Sequence, residues 1–145
     1  MNTLIIYYSK TGRTRQMAYE IDKYLKENHL NSKMISIYDV KPEDITQADM
    51  VLLGCWTHGL FFILQHPDKT WREYAAKFPD LNGKKVGFFT TYKTATGSMF
   101  RRMYKNLKGR LTEPVSLNIK SRNGKLSVGN KALIKEFITV KADRP

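Results

Sequence analysis

Cysteine is nearly missing from this chain: Cys55 is the one thiol among 145 residues. An internal disulfide is therefore excluded, as is a structural zinc site built from several thiolates, and no metal site is expected. The lone thiol fits a reducing compartment. No apolar run approaches the roughly 18 residues that a spanning helix needs, because Gly, Cys or His interrupts the longest candidates. The opening run Met1-Asn2-Thr3-Leu4-Ile5-Ile6-Tyr7-Tyr8 carries no basic leader or small-residue cleavage site, so a soluble, cytoplasmic protein is the expectation. Acidic residues are scarce in one region above all. Between Lys93 and Lys125, Glu113 stands alone against Lys93, Arg101, Arg102, Lys105, Lys108, Arg110, Lys120, Arg122 and Lys125. Two-thirds of the net charge of +12 comes from that stretch. Such a patch attracts acidic proteins, anionic lipid or nucleic acid, although a merely solvated helix face has the same composition.

What is present reads as one compact domain, 1–145, with 41% hydrophobic residues to build its core. Leu4–Tyr8 is a short apolar run of the kind that makes a strand buried on both faces. From Gly12 onward the period becomes helical, with Met17, Ile21, Tyr24 and Leu25 on one face. Met34–Tyr38 and Met50–Gly54 predict a second and third strand, and between them the turn Lys41-Pro42-Glu43-Asp44 leads to a short helical or irregular link. A long loop, 55–66, follows. Trp71, Tyr74, Ala75 and Phe78 predict a helix that ends before Pro79. Val86–Thr90 reads as the fourth strand, and Phe100, Met103, Tyr104 and Leu107 mark a helix closing at Gly109. Val115–Ile119 predicts the fifth strand, Asn123-Gly124 a small hairpin, and Ala132, Leu133, Phe137 and Val140 a last helix. Strands and helices that alternate in this way imply a parallel sheet covered on both faces, with ligands beyond the carboxyl ends of its strands. Three loops then carry the site: 9–14, 55–66 and 90–98.

The first of these, Ser9-Lys10-Thr11-Gly12-Arg13-Thr14, joins a buried strand to a helix N-terminus. Backbone N–H groups and the helix dipole suit an anion there. Three hydroxyls can donate to phosphate oxygens, Gly12 permits close approach, and Lys10 and Arg13 add charge. Neither the Gly-Lys-Ser/Thr ending of a P-loop nor a three-glycine dinucleotide fingerprint is present.

The continuous stretch Ile5-Ile6-Tyr7-Tyr8-Ser9-Lys10-Thr11-Gly12-Arg13-Thr14-Arg15-Gln16-Met17-Ala18 resembles the signature of the flavodoxin family: an apolar pair, an aromatic, Ser or Thr, Thr, and Ala at the family's spacing. The resemblance implies an α/β, doubly wound five-stranded parallel sheet of order 2-1-3-4-5 with helices on both faces. It also implies FMN at the switch point, an arrangement that flavodoxins themselves exemplify. Cys55-Trp56-Thr57-His58-Gly59 is similar to the loop that covers one face of the flavin, with Trp56 and His58 in place of the usual residues, and contact from both is expected. Cys55 is read as a packing residue of that loop. Thr90-Thr91-Tyr92 resembles the third loop, with Tyr92 the candidate second aromatic. Of the apolar run Leu60-Phe61-Phe62-Ile63-Leu64, core packing is the favoured reading, ahead of a docking surface or a slot for a quinone-like molecule. The chain has no room for the insertion that splits the fifth strand of long-chain members and looks like a short-chain type.

An electron carrier is accordingly expected, in which the cofactor supplies the chemistry and no catalytic side chain is needed. The alternatives are an FMN-dependent quinone or NAD(P)H reductase, or a protoporphyrinogen-oxidase-like enzyme, and, from another class, a flavin-free basic binding module. Nucleic acid is not favoured, because Phe100 and Tyr104 lie on the apolar helix face. Typical family members are strongly acidic. A net charge of +12 implies an acidic redox partner and a reduced flavin anion less disfavoured than usual.

Overall fold

The computed structural model describes residues 1–60, 63–93 and 95–140, with the backbone alone at 58–60 and 63–66. Eleven elements follow one another: β1 (Asn2–Tyr8), α1 (Arg13–Glu27), β2 (Asn31–Ser36), α2 (Pro42–Thr46), β3 (Met50–Leu60), β4 (Ile63–Pro67), α3 (Lys69–Ala75), β5 (Lys85–Thr91), α4 (Met99–Asn106), β6 (Leu117–Ser121) and α5 (Val128–Thr139). The parallel strands lie in the order β2-β1-β3-β5-β6, which is the expected 2-1-3-4-5 once β4 is set aside.

Two buried clusters flank the sheet. On one face Ile5, Leu52, Phe89 and Ile119 pack against Met17, Ile21 and Leu25 of α1 and Ile134 and Phe137 of α5. On the other, Ile6, Leu53 and Phe88 meet Ile45 of α2, Trp71 and Ala75 of α3, and Met99 and Met103 of α4. Strand residues alternate between the two clusters with the period of two that pleating imposes. Both faces are thus dry, as a parallel sheet requires. Among the described residues no helix is long and apolar enough to cross a membrane.

Three expectations need correction. The segment 55–66 is not a long loop: β3 runs on to Leu60 and β4 returns antiparallel beside it, pairing Thr57 with Pro67 and His58 with His66. The alternation that would announce this is hidden, because the apolar run at 60–64 reads equally as core, and Phe61 and Phe62 lie outside the described residues. The second strand begins at Asn31, not Met34, and leaves out Ile37 and Tyr38. It is the sheet's edge strand, where the polar side chains of Asn31 and Lys33 remain exposed while their backbones pair with Asn2 and Leu4. The last strand is likewise displaced, to Leu117–Ser121, and Asn123-Gly124 makes a tight turn with no strand after it among the described residues. In that turn Ser121 Oγ accepts from Gly124 N at 3.0 Å, and Lys125 N donates to Asn123 Oδ1 at 2.9 Å.

Candidate functional site

At the carboxyl ends of the strands, register alone brings the candidate loops together. Tyr8 is opposite Cys55, Cys55 opposite Thr90, and Thr90 opposite Lys120, and one residue further on Trp56, Thr91 and Ser121 fall in line. The chain leaves β1 toward β2 on one side and β3 toward β5 on the other. The crevice between β1 and β3 is therefore the switch point at which open α/β sheets bind ligands.

The loop after β1 sits at that crevice. Gly12 takes the N-cap position of α1 with φ of 93°, a left-handed conformation that costs a side-chain-bearing residue energy. Its N–H is held by Ser9 Oγ at 3.0 Å, which curls the loop over the helix end. The first bond of the helix runs from Gln16 N to Gly12 O at 2.9 Å. The N–H groups of Arg13, Thr14 and Arg15 thus precede the first closed turn, no side chain caps them, and the first turn holds no acidic residue. Lys10, Thr11, Gly12 and Arg13 are exposed, and Ser9 is half-buried. A fifteen-residue helix, uncapped at its positive end and flanked by two cations, fits a phosphate group.

Thr14 has a different setting. It is only 1% exposed, and its hydroxyl meets that of Thr91 at 2.6 Å. Thr90, fully buried, donates to the Cys55 carbonyl at 2.5 Å. A hydroxyl has one proton to give, so Thr57, 2.8 Å away, is the donor in its bond to Thr90. The first loop is thereby tied to the third, and the third to the second, through threonine hydroxyls and not through an apolar contact.

Trp56 is half-buried, and the ammonium of Lys10 lies 5.0 Å from its ring centroid, which joins the first loop to the second. Tyr92 is half-buried beyond the end of β5, between Lys120 at 5.7 Å and Arg122 at 5.4 Å from its ring. The backbone of His58 and Gly59 continues β3, but their side chains lie outside the described residues. Cys55 is set into the core: its side chain is fully buried in the cluster of α3 and α4, and its thiol donates to the Trp56 carbonyl at 3.3 Å. Burial pushes the thiol pKa far above its ordinary value. Only its backbone faces the crevice, so Cys55 packs and offers a ligand no side chain.

Sequence reasoning missed two contributions. The turn 121–125 closes over the start of α1, where a Cβ added to Gly124 would lie 2.8 Å from the Arg13 carbonyl oxygen. The Asn123-Gly124 pair signalled a turn but not its destination. Tyr8, Tyr38 and Tyr74 form edge-to-face pairs with centroids 5.9 and 5.5 Å apart beside the end of β1. Nothing in their spacing announces that cluster, since they come from a strand, a turn and a helix far apart in sequence.

The family model described as Flavodoxin matches residues 5–132. Among characterised relatives, the flavodoxin of Megasphaera elsdenii is 31% identical over 93 residues, which span 64% of this chain and 66% of that protein. The flavodoxin of Clostridium beijerinckii is 28% identical over 105 residues, or 72% of this chain and 75% of that one. The solved structure of the two-electron reduced M. elsdenii flavodoxin superposes with a TM-score of 0.75 at 24% identity, covering 95% of this chain and 99% of that chain, which shows a shared fold.

Proposed function

This chain belongs to the flavodoxin family and is an FMN-binding electron-transfer protein; we propose that FMN sits at the crevice between β1 and β3, within one domain spanning 1–145. The observation that carries the placement is the uncapped N-terminus of α1, with Ser9 to Thr14 wrapped around it and no acid in its first turn. Ser9, Thr11 and Thr14 offer hydroxyls to the phosphate, the backbone N–H groups of Arg13 to Arg15 point at it, and Lys10 and Arg13 balance its charge. Bound there, FMN takes up and returns electrons, and the protein supplies binding, orientation and field. Trp56 with His58 on one side and Tyr92 on the other border the flavin ring. The backbones of Cys55, Thr57, Gly59, Thr90 and Thr91 form its floor, with Thr57 and Thr90 holding that floor by their mutual hydrogen bond.

The charge at the rim of this site supports an acidic partner. Residues 9–14, 92–98 and 120–125 contribute Lys10, Arg13, Lys93, Lys120, Arg122 and Lys125, and no carboxylate. An acidic redox partner is drawn to that rim, and the encounter weakens as salt screens it. The same cations make the reduced flavin anion less unfavourable than an acidic surface would. The single free thiol, Cys55, supports the reading of a reducing, cytoplasmic setting.

The visible spectrum tests the cofactor assignment. Purified protein shows flavin bands, loses them on stripping and regains them with added FMN. A colourless chain that ignores FMN ends the assignment. Turnover of NAD(P)H with a quinone in the absence of any reductase would show an enzyme and not a carrier.

A further inference from the structure

A second, separate cluster of cations lies on the α3 and α4 side of the sheet. Pro67, Arg72, Arg102, Lys105 and Asn106 line an open cleft of about 350 Å³. We propose that this cleft binds the phosphate dianion, free or as the headgroup of a small phosphomonoester, at a site distinct from the flavin phosphate loop. The proposal does not depend on the FMN assignment.

Three observations converge on it. First, the cations come from two helices and face one space with no carboxylate among the described residues of its lining. The acids nearest in sequence are occupied: Asp68 Oδ1 caps α3 by accepting from Thr70 N at 2.8 Å, and Glu73 pairs with Lys69 at 3.8 Å. Second, Arg72 and Lys105 have no ion-pair partner among the described residues. Among the described residues Arg102 spends its Nε alone, which donates to Ser98 Oγ at 2.9 Å; the bond orients the guanidinium and leaves its two terminal nitrogens to bind. Third, Asn106 carries a buried Oδ1 with no hydrogen-bond partner. Asn106 also lines the cleft, and a half-turn of its amide exchanges the unpartnered acceptor for a donor without moving the side chain.

Like charges gathered at one concavity repel, and an anion between them converts the repulsion into charge-assisted hydrogen bonds. A single carboxylate offers two oxygens in one plane and one negative charge. Two guanidinium groups, one ammonium and an amide arriving from different directions match a tetrahedral dianion with three or four acceptor oxygens better. The volume stands at the low end of small-ligand sites, room for a phosphate and a small body and not for a dinucleotide.

The test uses nitrogen-15-labelled, FMN-loaded protein, in which the flavin phosphate already fills the first loop. Orthophosphate, and separately AMP, is titrated while backbone amides are followed, with NaCl at matched ionic strength as the control. Saturable shifts at 68–72 and 102–106, unmatched by NaCl, are the expected result, with orthophosphate alone responding if the site takes the free ion and AMP tighter if it takes a monoester. In Arg72→Gln with Lys105→Gln the affinity falls roughly fivefold per removed charge, so by about 25-fold for the pair. Both side chains are exposed, and the visible spectrum verifies that the variant still holds FMN. Shifts that NaCl reproduces, shifts confined to 9–14, or unchanged affinity in the double variant would each overturn the proposal. So would a glutamate-rich peptide that saturates the cleft while phosphate does not. If the protein fails to take up FMN, the flavin assignment falls while the shifts at 102–106 are still read.

Discussion

Thr14→Val separates the two roles that the first loop plays. In the native chain the Thr14 and Thr91 hydroxyls are 2.6 Å apart, with residue exposures of 1% and 4%, so neither can turn to bulk water. Removing one hydroxyl leaves the other buried without its partner, a cost of about 1–3 kcal/mol. Removing both, in Thr14→Val with Thr91→Val, deletes the pair and its desolvation together. The double variant should be destabilised by less than the sum of the singles, with a coupling of about 1–3 kcal/mol in a double-mutant cycle. Urea unfolding of FMN-free protein at pH 7 reads that coupling directly. Flavin affinity, followed by quenching of FMN fluorescence, reads the second role. If Thr91 donates to Thr14, the Thr14 proton is left to reach the phosphate. Thr14→Val then loses a hydrogen bond to a charged group, about 1.5–3 kcal/mol or some 10- to 150-fold in Kd, while Thr91→Val loses several-fold less. Strictly additive stabilities would refute the buried pair as a lock between loops. A Thr91→Val loss of FMN affinity equal to that of Thr14→Val would refute the proposed direction of the proton.

Gly54→Ala brings a Cβ within 2.1 Å of the Phe89 ring, which is itself 1% exposed in the core under α1 and α5, so the variant should lose at least about 1–3 kcal/mol by urea unfolding. Cys55 should resist thiol reagents at pH 8 until the chain unfolds, when it reacts at the rate of a free thiol. Its folded pKa is raised above the unfolded one, so the unfolded state releases the proton first and binds fewer protons. Stability therefore falls as pH rises above the ordinary thiol range, by up to about 1.4 kcal/mol per pH unit from this group, and Cys55→Ala removes that component of the slope. Lys125→Glu at the rim should lower the potential of the fully reduced flavin by on the order of 10–40 mV at low salt, measured by spectroelectrochemical titration, with the shift shrinking in 0.5 M NaCl.

Much of the fold was legible because its elements are marked by burial on two faces. Leu4-Ile5-Ile6 and Phe88-Phe89 read as strands since every residue in them is apolar, and Met17, Ile21 and Leu25 read as one helix face since each is buried under the sheet. The edges were less legible. Asn31–Lys33 pairs through its backbone, which polarity does not reveal, and the return of β4 rests on pairing between residues whose side chains are not themselves diagnostic. The site divides along the same line. Ser9 to Thr14 could be found in sequence because it is one contiguous segment at a strand-to-helix junction. The Thr14–Thr91 and Thr57–Thr90 contacts could not, since partners 77 and 33 positions apart meet only in the folded chain.

The charge of this chain also constrains the order of events with a partner. Reduction of the flavin to its anion adds negative charge within a rim made of Lys10, Arg13, Lys93, Lys120, Arg122 and Lys125. An acidic partner is attracted by that rim and repelled by the added charge, so it binds the oxidised protein more tightly than the reduced one. Linkage makes the effect reciprocal: the docked partner lowers the flavin potential by the same free energy by which reduction weakens docking. For each tenfold ratio of the two affinities in a two-electron couple the shift is about 30 mV. Such a partner is released after it has delivered electrons and retained while the flavin is empty, which suits a donor to this protein better than an acceptor from it. Affinity of one acidic partner for the two redox states, measured at low ionic strength, decides the matter. Tighter binding to the reduced state would show that the rim does not govern docking, whatever its formal charge.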